Sequence, residues 1–235
     1  MSNIMDRTLR TLFVNEIYES ISGEAGIFLQ GTWCTIIRFQ GCNLQCNYCD
    51  TTQTWNRNDM TKSKLMTIKE IVDGVKTKHV MITGGEPLIQ PAGLKDLVIE
   101  LEGKGKEVQI ETNGSLPRIW FNPHQPSIEK ARWVVDYKLS SSGEGFMMPP
   151  VEEFHKNWYK AGVVKFVVAD EYDMKEAMKV VDGLYNLGWR KFIFSPVDAS
   201  SNLIPMIVHY MKEFPYFENT EFVFSLQVHK LANMK

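Results

Sequence analysis

The chain has 235 residues, enough for one sizeable core and short for two domains, so residues 1–235 are expected to form a single unit. A net charge of −2, with the 26 lysines and arginines scattered rather than gathered in a stripe, speaks against a nucleic-acid-binding surface. No run approaches the roughly 18 apolar residues a membrane helix needs, and the polar start Met1–Arg10 lacks the core of a secretory signal, so a cytoplasmic chain with reduced thiols is expected.

Short, nearly continuous apolar runs, of the kind that form strands buried on both faces, recur at Leu12–Tyr18, Thr35–Phe39, His79–Thr83, Val108–Thr112, Trp133–Tyr137, Val163–Val168, Lys191–Phe194 and Phe222–Leu226. Helical spacing lies between them at Ile68–Val75, Leu94–Leu101, Val151–Tyr159, Met174–Leu187 and Leu203–Phe214. Thr67 with Glu70 makes a capping box for the first of these helices. The alternation predicts an α/β fold of parallel strands, either an open sheet or a barrel. The length favours an incomplete barrel, because a full one takes about 250 residues. Thr51–Met66 and Asn122–Lys130 escape the pattern and read as functional or mobile loops. Chemistry in such folds collects at the carboxyl ends of the strands.

Directly after the strand Thr35–Phe39, Cys42, Cys46 and Cys49 form C-x3-C-x2-C. A tetrahedral zinc would want a fourth protein ligand, and the remaining cysteine, Cys34, falls inside a strand pattern. A cubane [4Fe–4S] cluster needs only three thiolates and leaves one iron open to a small molecule. A zinc knuckle completed by His or Asp stays as the alternative. A second motif, Thr83-Gly84-Gly85-Glu86-Pro87, ends the next long strand; its two glycines permit close backbone approach, and Glu86 offers an acceptor for an ammonium group.

C-x3-C-x-Φ-C, with Tyr48 before the last cysteine, and the G-G-E-P motif resemble the radical S-adenosylmethionine (SAM) superfamily. Glu16–Glu24, Ile36–Leu44, Cys49-Asp50-Thr51, Glu111–Ser115 and Ser225–Lys230 are similar to the 7-carboxy-7-deazaguanine synthase family, a likeness running from Phe13 to Lys230. The resemblance implies an incomplete, modified TIM-type barrel. It also implies conversion of 6-carboxy-5,6,7,8-tetrahydropterin to 7-carboxy-7-deazaguanine with loss of ammonia, in 7-deazapurine (queuosine) biosynthesis, the radical being generated from SAM at the cluster. By the same resemblance Cys42, Cys46 and Cys49 hold the cluster and Thr51 helps bind Mg²⁺. Tyr48, Gly84, Gly85, Glu86, Glu111, Asn113, Lys138, Ser140 and Ser195 are placed around SAM. Arg38 would clamp the substrate carboxylate, Glu24 would accept from the pterin N–H groups, and Ser22, Gly23 and His229 would complete the substrate site, closed by the C-terminal segment 220–235. A homodimer and a flavodoxin-type electron donor are implied likewise. The chain departs from the family pattern at Ser22, where the family has glutamine, and at Ala25, where it has glycine. The shorter Ser22 leaves its substrate bond lost or water-mediated. A glycyl-radical activating enzyme, of similar size and cysteine spacing, is the nearest rival.

Overall fold

The computed structural model describes residues 8–118, 132–159, 162–198 and 202–228. The segment Asn122–Lys130 and His229 lie outside them. Among the described residues one sheet runs in the order β3-β1-β2-β4-β5-β6-β7-β8-β9. Its strands are β1 (Thr11–Ile21), β2 (Trp33–Phe39), β3 (Lys64–Thr67), β4 (His79–Gly84), β5 (Glu107–Thr112), β6 (Arg132–Asp136), β7 (Gly162–Val168), β8 (Lys191–Pro196) and β9 (Glu221–Phe224). The helices are α1 (Ile68–Asp73), α2 (Pro91–Gly103), α3 (Val151–Trp158), α4 (Glu171–Asn186) and α5 (Leu203–Lys212).

From β2 through β9 every neighbouring pair is parallel. Two departures stand at the other edge. β1 runs antiparallel to β2, and β3 antiparallel to β1, where the sequence pattern predicts parallel strands throughout. The reason is the connection: parallel neighbours need a crossover, usually a helix, and the link from Ser22 to Thr32 holds none. β3 begins inside what reads in the sequence as the loop Thr51–Met66 and ends one residue past it; at only four residues it carries too little pattern to be seen. The sheet stays open at β3 and β9, which makes it a partial TIM-type barrel. The capping box forms at the start of α1, with the Glu70 N–H donating to Thr67 Oγ1 at 3.2 Å and the Thr67 N–H to Glu70 Oε2 at 2.7 Å.

Strand side chains alternate between faces. One set, including Phe39, Ile82, Ile110, Val135, Phe166 and Phe194, joins α1–α5 in the main core. The opposite set is apolar at its base, in two small clusters: Cys34, Ile36 and Met81, and Val134, Val163 and Ile193. Two residues further along the same strands stand Arg38, Thr83, Asp136, Lys165 and Ser195. Period two thus puts polar groups at the carboxyl ends of the strands, on the face away from the helices.

Candidate active site

A cavity of about 460 Å³ opens at those carboxyl ends. Cys42, Cys46, Cys49, Tyr48 and Thr51 line it together with Gly84, Gly85, Glu111, Asn113, Lys138, Gly23, Glu24 and Arg38. Most residues singled out from the sequence therefore meet in one place.

The cysteine loop is fixed by its backbone. Gly41, at φ 98°, takes the turn out of β2 in a conformation that favours glycine. The N–H groups of Gly41 and Cys42 donate to the carbonyls of Thr54 and Trp55 at 2.6 and 3.1 Å. Buried Gln40 donates through Nε2 to the carbonyls of Gln53 and Asn56, tying down the following loop as well. On its far side the Asn47 N–H donates to the Ser142 carbonyl and the Gln45 N–H to Glu144 Oε1. The glycine pair after β4 serves this loop rather than leaving room for a ligand alone. A Cβ on Gly85 would lie 2.1 Å from the Gly41 carbonyl oxygen and 2.9 Å from Cys42 Cβ. Burial pushes the Cys42 thiol up to about 11, so that sulfur needs a strong positive partner before it becomes a thiolate. Among the described residues no group of three or more His, Cys, Asp and Glu side chains is arranged to hold a single metal ion. The buried Tyr48 hydroxyl has no partner among the described residues, so the cavity presents a donor for a bound group to satisfy.

Glu86 behaves differently from its sequence-level role. It is fully buried and does not line the cavity. Its Oε1 accepts from the Leu88 N–H at 2.8 Å and the Thr112 hydroxyl at 2.9 Å, and its Oε2 from the Asn113 N–H at 2.7 Å. The carboxylate thus locks the end of β5 to the end of β4 and points Asn113 at the cysteine loop. Asn113 in turn donates through Nδ2 to Asn43 Oδ1 at 3.0 Å.

The cavity is also lined by an ionic network. Lys165, buried on β7, is in ion-pair contact with Glu24 and lies 3.7 Å from Asp136 Oδ1; Lys138 reaches Asp136 Oδ2 at 2.6 Å. Burial works against both charges of each pair. For Lys165 the carboxylates of Asp136, Glu24 and Glu111 outweigh it and hold the ammonium well above its ordinary value; for Asp136 the two lysines outweigh it and keep the carboxyl low. Glu111 is left with weaker partners, the Gln109 amide at 3.3 Å and the Thr83 hydroxyl at 3.4 Å, and burial raises its carboxyl. Arg38 donates through Nε to Glu16 Oε1 at 2.9 Å and through Nη2 to the Tyr18 hydroxyl at 3.0 Å, both on antiparallel β1. Among the described residues two of its five guanidinium donors are seen to be spent in holding it, which leaves others for an anion.

The other expected positions fall elsewhere. Ser22 is buried, spends its hydroxyl on the Glu24 carbonyl at 3.0 Å, and does not reach the cavity. Ser140 is exposed at the start of a short 3-10 turn, and Ser195, buried on β8, is not on the cavity wall. Glu16, Asp136, Lys165 and Gln227 do line it and escape the sequence reading. A lone charged residue in an otherwise apolar strand, as Lys165 in Gly162–Val168, was the available signal. The C-terminal stretch meets the loop after β1. The Val228 N–H donates to the Gly23 carbonyl at 2.9 Å, the Ala25 N–H to Ser225 Oγ at 2.7 Å, and Gln227 Nε2 to Glu24 Oε1 at 2.8 Å.

Comparison with known proteins agrees with this geometry. The radical SAM superfamily model matches residues 36–207, from β2 into α5. The 7-carboxy-7-deazaguanine synthase of Clostridium acetobutylicum is 37% identical over 226 residues, covering 93% of this chain and 94% of its own. That of Aquifex aeolicus is 30% identical over 237 residues and covers 100% of both. Among solved structures, QueE from Escherichia coli superimposes with a TM-score of 0.74 at 21% identity, over 96% of this chain and 98% of that one, a likeness of fold. With its cysteine loop, its open parallel sheet and relatives matched along nearly the whole length, the chain belongs to the 7-carboxy-7-deazaguanine synthase family of the radical SAM superfamily.

Proposed function

We propose that this protein is a radical SAM lyase that makes 7-carboxy-7-deazaguanine from 6-carboxy-5,6,7,8-tetrahydropterin, with release of ammonia. The observation that carries this reading is one cavity lined both by three thiols and by an arginine, two lysines and several carboxylates. That donor set fits both groups of ligands. The thiols of Cys42, Cys46 and Cys49 suit a [4Fe–4S] cluster, and Tyr48, Gly84, Gly85, Glu111, Asn113 and Lys138 border the space beside it for SAM. When bound, cluster and SAM supply a carbon-centred radical able to take a hydrogen atom from an unactivated C–H bond.

The protein's own groups orient the substrate and keep water out. Arg38, steadied by Glu16 and Tyr18, pairs with the substrate carboxylate through its free N–H donors. Glu24, held in place by its contact with Lys165, accepts from the N–H groups of the pterin ring. Gly23 supports the same edge, and the stretch Ser225–Val228 closes it. Glu86 acts one layer back by positioning Asn113. Thr51, whose Oγ1 lies 3.7 Å from Cys49 Sγ, supplies one ligand to Mg²⁺; that ion keeps most of its waters and takes few protein ligands. A homodimer reduced in the cytoplasm by a flavodoxin-type donor completes the reading. No helix among the described residues is long and apolar enough to cross a membrane.

Iron-reconstituted protein, incubated anaerobically with SAM, dithionite and the carboxytetrahydropterin, should yield 7-carboxy-7-deazaguanine and one equivalent of ammonia. Cleavage of SAM without a deazaguanine product would move the assignment to an activating enzyme for a glycyl-radical protein. Colourless protein carrying stoichiometric zinc and no iron would end the enzyme reading altogether.

A further inference from the structure

Gln227 follows β9 and lines the cavity, yet only half of its amide is used. Nε2 donates to Glu24 Oε1 at 2.8 Å, while Oε1 is buried and accepts no hydrogen bond among the described residues. The amide cannot be turned around without setting its oxygen against the Glu24 carboxylate, acceptor against acceptor. Nor is the backbone free to withdraw. Val228 N–H and Gln30 Nε2 donate to the carbonyls of Gly23 and Leu226, and the Ser225 hydroxyl accepts from Ala25 N–H. On the other side Lys165 holds Glu24 Oε2. The result is a row of acceptors, the Glu24 carboxylate and then the Gln227 carbonyl, fixed from three directions. A buried, unpaired carbonyl is costly, and a bound N–H donor is what relieves it.

We infer that Gln227 determines specificity: its Oε1 accepts an N–H from the substrate's amino-substituted pyrimidine edge, beside the N–H groups taken by Glu24. The inference rests on the pterin reading above and deepens it. A 2-amino-4-oxopyrimidine presents a ring N–H and an exocyclic NH₂ along one edge, more N–H bonds than one carboxylate can take in plane. Glu24 takes the ring N–H and one amino hydrogen, and Gln227 takes the other. Replacing the amino group by oxygen sets an acceptor against this row and leaves Gln227 Oε1 buried without a donor.

The test uses two stable fluorescent pteridines, 6-carboxypterin and 6-carboxylumazine, which carries oxygen in place of the 2-amino group. Each is titrated anaerobically into cluster-reconstituted protein with SAM present. Wild type is expected to prefer the pterin by about 100-fold, as sites built to hydrogen-bond a group reject analogues lacking it. Gln227→Leu is expected to lose about tenfold of that preference, chiefly through weaker pterin binding, with iron content and melting temperature retained. An unchanged preference in the variant overturns the inference. So does a wild type that binds both pteridines equally while still making the deazaguanine, an outcome independent of whether the variant folds. Wild type that binds neither pteridine overturns the functional reading and this inference with it.

Discussion

Glu86 illustrates how a residue inside a ligand-binding motif can act entirely through its neighbours. Burial pushes its carboxyl up to about 7, even though the N–H groups of Asn113 and Leu88 and the Thr112 hydroxyl pull the other way. An unfolded glutamate titrates near 4.3, so between roughly 4.3 and 7 the folded state holds a proton that the unfolded state has lost. The stabilising contribution of this group is therefore complete below that window and declines as pH rises through 7. Asp136 has the opposite sign, but its lowered carboxyl confines its effect to strongly acidic solution. Glu86→Gln removes the titrating group and turns an amide donor toward one of three donors. It should lower stability by about 1–3 kcal/mol at neutral pH and flatten the fall between pH 5 and 8. Anaerobic thermal melts of both proteins across that range check it. A variant with the wild-type slope would show that other groups carry the pH dependence.

The β4–Gly84–Gly85 corner shows the same dependence at the level of elements. Gly84 adopts φ 151°, and a Cβ there would sit 2.4 Å from the Phe39 carbonyl oxygen; at Gly85 it would strike the Gly41 carbonyl. The end of β4 thus serves as a mould for the cysteine loop leaving β2. Gly85→Ala must displace backbone rather than a mobile side chain. It should cost about 1–3 kcal/mol and leave the reconstituted protein with markedly less iron and sulfide per chain. Iron content equal to wild type would show that the loop sets its own shape. This corner was visible in the sequence as a glycine pair, though its use was not, because the atoms it avoids come from a strand more than forty positions earlier. The strands β1, β2 and β4–β9 and all five described helices were legible from apolar runs and helical spacing. The antiparallel direction of β1 and the strand β3 were not, since a helix-free link and a four-residue strand carry no periodic signal. Lys165 and Asp136 were overlooked for a related reason. A lone charge in an apolar strand has meaning only beside partners such as Glu24 and Lys138, which arrive from other elements.

For the whole molecule, an open sheet leaves a problem that the C-terminal stretch addresses. A cavity built for radical chemistry has to exclude water and stray hydrogen donors, yet β3 and β9 are both edges and the barrel does not close on itself. What spans the gap is the run after Phe224, clasped to the loop after β1 by Ser225, Gln227 and Val228. The cysteine loop depends on none of these contacts. Its anchors come from Gln40, Thr54, Trp55, Gly85 and the 142–144 turn. Cluster housing and substrate edge are therefore separable in space, and a chain ending after Phe224 should separate them in experiment. It should retain most of its iron and cleave SAM slowly under dithionite without substrate, while 6-carboxypterin affinity falls at least tenfold and deazaguanine formation is lost. The fall follows from freeing Glu24 of one of its two partners and opening the cavity to solvent. Loss of iron in parallel with loss of pterin binding would mean that the clasp supports the entire cavity. Full product formation would mean that the loop after β1 closes the site alone.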